Sequence, residues 1–95
     1  MPYISKEDRD RLDAAVDAAV RVLSEKTLDK SLGDLNYTIS RIVAGLVGAP
    51  SYSKIAMATG VLENVKQELY RRLSSPYEDQ KIGENGDIKE YKGLK

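Results

Sequence analysis

The 95-residue sequence contains no cysteine, histidine, tryptophan or phenylalanine. Without cysteine there are no disulfides, thiolate zinc sites or thiol nucleophiles. Without histidine the commonest metal ligand and general base are also missing, so any metal would be a hard cation held by carboxylates. Fifteen basic residues cancel fifteen acidic ones. A neutral chain lacks the global field that draws a protein onto long nucleic acid, and no such partner is expected. No apolar run approaches the ~20 residues that a membrane span requires. The start, Met1-Pro2-Tyr3-Ile4-Ser5-Lys6, lacks the apolar stretch of a signal peptide. These absences together point to a cytoplasmic protein with no membrane partner, cofactor or bound metal.

What the chain does have is helix-forming apolar residues. Hydrophobic residues make up 41% of it and include six tyrosines, enough for a folded core built from Leu, Ile, Val and Ala. Ser5 with Glu7 and Asp8 reads as a capped helix start, and Leu12, Val16, Ala19 and Leu23 then form one helical stripe. Asp29, Ser31 and Gly33 read as a turn and a new cap. Leu35, Ile39, Ile42 and Leu46 make a second stripe, ended by Gly48-Ala49-Pro50. A third helix starts at Ser51 or Ser53 and carries Ile55, Ala58, Leu62, Val65 and Leu69. Its first half is apolar nearly all round, which marks burial on more than one side. Three short helices cannot easily surround one of their own members, so a homo-oligomer is expected. Ser74-Ser75-Pro76 stops this helix, and Asn85-Gly86 is a turn signal. The expected fold is therefore all-α. A three-helix bundle-like domain spans 1–75, and a polar C-terminal tail, extended or hairpin, spans 76–95 and docks on its own or a neighbouring subunit.

The residues that could carry chemistry fall in two places. Asn36 with Ser40, and Tyr37 with Arg41, lie one turn apart on the second helix. They read as a polar pocket wall or as a solvated face. The denser cluster is Tyr70, Arg71, Arg72, Tyr77 and Lys81. Guanidinium forks bind phosphate or carboxylate bidentately, and tyrosines stack on bases or on arginine planes. The competing reading is structural. Glu68 pairs with Arg72 at i, i+4, and Arg71 ties down a Pro-Tyr-Glu-Asp turn. At about 100° per residue, at most one of the two arginines faces a given pocket. Gly83-Glu84-Asn85-Gly86-Asp87 lacks the alternating ligands of a calcium loop and reads as a turn. No nucleophile elbow or Ser-Lys motif is present, so catalysis is not expected. Asp34, Glu63 and Glu68 give a loose similarity to all-α nucleotide pyrophosphatases that use Mg²⁺. Those enzymes carry denser carboxylate pairs, however, and Glu63 and Glu68 are five apart.

A wider pattern runs along the chain. It comprises Met1-Pro2-Tyr3-Ile4, Gly33-Asp34-Leu35-Asn36-Tyr37 with Ile39 and Arg41, Gly60-Val61-Leu62-Glu63, Lys66-Gln67-Glu68-Leu69-Tyr70-Arg71-Arg72, Pro76-Tyr77-Glu78-Asp79 and Asn85-Gly86-Asp87. In combination it resembles a family of short uncharacterised proteins from bacteriophages, prophages and bacteria. The resemblance covers most of residues 1–88, and Ile88 to Lys95 extend beyond it. It implies a viral or prophage context and no activity. By analogy of context, small helical phage oligomers include sponges that sequester nucleotide signals at subunit contacts.

Three function classes follow. The leading one is a non-enzymatic binding protein of phage type, with Tyr70, Arg71, Arg72, Tyr77, Lys81, Asn36 and Arg41 toward a nucleotide or other small anionic ligand. The second is a structural or protein-interaction oligomer. The third is a Mg²⁺-dependent nucleotide hydrolase.

Overall fold

The computed structural model describes residues 4–94, so the Met1-Pro2-Tyr3 part of the first motif and Lys95 lie outside the described residues. The chain is all-α. It divides into two compact units, residues 1–54 and 55–95.

The first unit is two helices joined by a polar corner. Helix α1, Lys6–Leu23, starts where Ser5 caps it, the Asp8 amide donating to Ser5 Oγ at 3.2 Å. Glu7 and Asp8 lie in its first turn, where the helix dipole favours negative charge. A single 3₁₀ turn, Leu28–Lys30, leads into helix α2, Leu32–Val47. Ser31 holds the N-cap position of α2, its carbonyl accepting from the Leu35 amide at 2.8 Å, but its side chain makes no cap hydrogen bond there. Its hydroxyl turns back toward the end of α1 and lies 2.9 Å from the Thr27 carbonyl, 3.2 Å from that of Leu23 and 3.3 Å from that of Lys26. The one hydroxyl proton thus lies within reach of the Leu23 carbonyl at the end of α1 and of two carbonyls in the turn that follows it. The ion pair Lys26–Asp34 at 3.1 Å closes the same corner. Val20, Leu23, Leu28 and Leu35 line an open hollow of about 230 Å³ beside it. Away from the corner, α1 and α2 do not pack along their lengths. Gly48 ends α2 at φ +62°, a conformation glycine adopts without strain, and its amide donates to Ala44.

The second unit is one continuous helical stretch with a short turn after it. Helix α3, Tyr52–Leu69, begins in the last residues of the first unit, where the Lys54 amide donates to Ser51 Oγ at 3.3 Å. It does not stop at Ser74-Ser75-Pro76. A π turn, Tyr70–Ser74, carries it directly into helix α4, Ser75–Asn85. The reason lies in the proline. Pro76 has no amide to donate, and its ring would clash with the carbonyl four residues back. The π turn inserts one extra residue, with the Ser75 amide donating to Tyr70 five residues back. The helix therefore passes the proline by widening. The sequence reading of 76–95 as an extended or hairpin tail is corrected accordingly, since residues 76–85 are helical. Asn85-Gly86 forms no hairpin, and no strand occurs among the described residues. Gly86 at φ +83° caps α4, its amide donating to Ile82 at 2.8 Å. Asn-Gly marks a hairpin turn and a helix end by the same property, easy access to positive φ.

Neither unit builds a core. Among the described residues no hydrophobic side chain is buried, and Ser31, at 4% exposure, is the only buried residue. Leu62 is 42% exposed and Leu69 54%.

Candidate functional site

The seven sequence-nominated residues fall into two groups. Asn36 and Arg41 lie on α2 in the first unit. Tyr70, Arg71 and Arg72 form most of the π turn, and Tyr77 and Lys81 follow on α4 in the second unit.

On α2, Ser40 donates to Asn36 Oδ1 at 3.3 Å, and the Arg41 guanidinium stands 5.9 Å from the centre of the Tyr37 ring. Tyr37, Thr38, Arg41 and Ile42 line a shallow open groove of about 280 Å³. Both one-turn pairings read from the sequence form, and all four side chains of those pairs are exposed. A solvated helix face describes this group better than a pocket wall. An exposed cation–π contact of this kind contributes about 0.5–1 kcal/mol.

On the second unit the ion pair differs from expectation. Glu68 takes Arg71 rather than Arg72, at 2.7 Å and three residues away. Nor does Arg71 brace a Pro-Tyr-Glu-Asp turn, because that segment is helix. Arg72 makes no ion pair among the described residues. Lys81 stands 5.6 Å from the Tyr77 ring centre and 3.3 Å from Glu84. Tyr70, Arg72, Tyr77 and Lys81 are all exposed. An exposed arginine fork can take a phosphate or carboxylate by hydrogen bonds, and an exposed tyrosine ring can stack on a planar group. The π turn that presents it was not legible from the motif, although Pro76 inside a long apolar pattern was the available signal.

The three carboxylates considered for Mg²⁺ have other partners. Asp34 pairs with Lys26, Glu63 accepts from Gln67 at 2.9 Å, and Glu68 accepts from Arg71. Among the described residues no group of three metal-ligating side chains converges. No helix among them is long and apolar enough to cross a membrane.

The fold and these surfaces define a class: a small all-α chain that presents apolar helix faces and an arginine-bearing π turn. Within that class the chain belongs to the family described as a domain of unknown function, DUF6899, whose model matches residues 1–88. No curated protein and no solved structure matches the chain.

Proposed function

We propose that this chain is a non-enzymatic, self-assembling interaction protein whose fold is completed by other copies of itself. One observation carries the reading: not one hydrophobic side chain among the described residues is buried. A folded monomer needs buried apolar area to offset the conformational entropy of ordering its chain. Here that area is presented on helix faces. The phage or prophage setting suggested by the sequence pattern belongs to this reading, with the host cytoplasm as the place of action.

The test is sedimentation equilibrium across protein concentration, followed in parallel by far-ultraviolet circular dichroism. A dimer or larger species at micromolar concentration, losing helix as it dissociates, is expected. A monomer that keeps its full helical signal on dilution overturns the reading.

A second reading has its own observation, the exposed Arg72, which makes no ion pair among the described residues. In it the assembly holds a nucleotide or other small anion on the π turn. Ligand that binds only the folded state raises the melting temperature, by about 2.7 kcal/mol of stability at a hundred times its dissociation constant. A thermal-shift series with mono-, di- and cyclic nucleotides should show a rise that Arg72→Ala abolishes at unchanged assembly. An equal rise in the variant removes Arg72 from the site.

A further inference from the structure

The self-assembly reading leaves open which surface joins the copies. We infer that it is a seam along the second unit, Ile55, Ala58, Leu62, Val65 and Leu69, continued past the π turn by Leu73 and Tyr77, and that its occupant is the same seam of a second copy.

The spacing is the first argument. Ile55 to Leu69 advance by three, four, three and four residues, the 3.5-residue repeat that lets two helices keep one line of contact. From Leu69 the steps become four and four, to Leu73 and Tyr77. In a plain α-helix each such step rotates about 40° off the line. The π turn lies at this point, Tyr70–Ser74. Its extra residue takes up the rotation, so Leu73 and Tyr77 stay with the seam. A device that serves Pro76 thereby also lengthens the apolar face.

The exposed area is the second argument. The chain exposes 8711 Å², whereas a compact chain of 10.5 kDa exposes about 5400 Å². An interface between two units of one chain takes up about 600–1500 Å², at most half of the ~3300 Å² excess. Obligate homodimers bury about 2000–5000 Å² in all, or about 1000–2500 Å² from each partner, the range into which most of the remaining ~1800–2700 Å² falls.

Charge selects the occupant. The residues flanking the seam are Thr59 and Lys66 on one side and Val61 and Glu68 on the other. The chain as a whole is neutral. Lys66 is paired with Glu63 and Glu68 with Arg71, so an identical helix meets flanking charges that are already compensated, while a strongly acidic or basic partner would find nothing complementary.

This inference rests on the self-assembly reading, and the test separates the two. The chain has no cysteine, so single cysteines report on contacts directly. Leu62→Cys, Val65→Cys and Leu69→Cys, alone and in pairwise mixtures, are oxidised beside the outer-face controls Ala56→Cys, Glu63→Cys and Gln67→Cys. Disulfides form only where Cα atoms approach to about 4.4–6.8 Å. At least one seam variant or mixture should form covalent dimer at least tenfold faster than every control. Circular dichroism confirms that each variant keeps its helix. Controls that cross-link as fast as the seam, or a seam that never cross-links in a chain that sediments as an oligomer, overturn this surface and leave self-assembly standing. A wild-type chain that sediments as a monomer overturns both.

Discussion

The two units hold their helices by different means. In the first, α1 and α2 meet at a corner where polar groups fix the path. Ser31 Oγ lies within reach of the Leu23 carbonyl at the end of α1 and of the Thr27 carbonyl beyond it, and Lys26 reaches Asp34. In the second, one helix runs from Tyr52 through the π turn to Asn85. Its side-chain ion pairs include short-range ones such as Arg71 with Glu68 and Lys81 with Glu84. Exposed pairs of this kind contribute about 0–1 kcal/mol each. A corner can be specified by its own residues. A lone helix with an apolar face draws most of its stability from whatever that face packs against. The first unit is thus the locally determined part of the molecule, and under the proposed self-assembly the second is the part that draws on other copies.

The largest expected effect tests that contrast at its strong end. Leu62→Asp places a charge on the seam and should weaken association by at least about 3 kcal/mol, in line with the loss of a buried leucine. Sedimentation should show monomer, and helical signal should fall with it. The same substitution at Leu46, which is 84% exposed on α2, should change association far less.

Next comes the corner. Ser31→Ala removes the hydroxyl that bridges the end of α1 and the following turn, at a cost of about 1 kcal/mol. Hydrogen exchange should accelerate for amides in residues 20–35 and stay unchanged in 55–85. Uniform acceleration along the chain would erase the distinction between the units.

Pro76→Ala acts in two opposite directions. It restores a backbone donor, so the π turn should relax to α and mean helicity rise slightly. Leu73 and Tyr77 should then rotate off the seam and weaken association about tenfold, or 1.4 kcal/mol. Dichroism and sedimentation together read both changes. The smallest effect belongs to Ser5→Ala, which removes the α1 cap at a cost of about 1 kcal/mol. Exchange should quicken in the first turn only, with the assembled mass unchanged.

Much of the local structure was legible because its causes are local. Ser5 as a cap, the stripes on three helices, Gly48 as a stop and both one-turn pairs on α2 follow from spacing and side-chain type. Ser31 was legible as a corner residue but not in its role, because a hydroxyl near two helix ends can serve either one. Pro76 misled for a physical reason: proline removes a donor, which ends an α-helix unless the backbone widens by one residue. Whether it widens depends on the helix continuing to Asn85, more than one turn further on. The partner of Glu68 was missed in the same way, since Arg71 and Arg72 both lie within reach of a carboxylate in the preceding turn.

The sequence by itself determined that the chain is helical, that it carries no thiol or imidazole chemistry, and that its charges cancel. These follow from composition and periodicity, which need no knowledge of distant contacts. Only the tertiary structure decided that, among the described residues, neither unit buries an apolar core of its own. Burial depends on which faces meet, and a stripe of leucines reads the same whether its neighbour is in the same chain or in another.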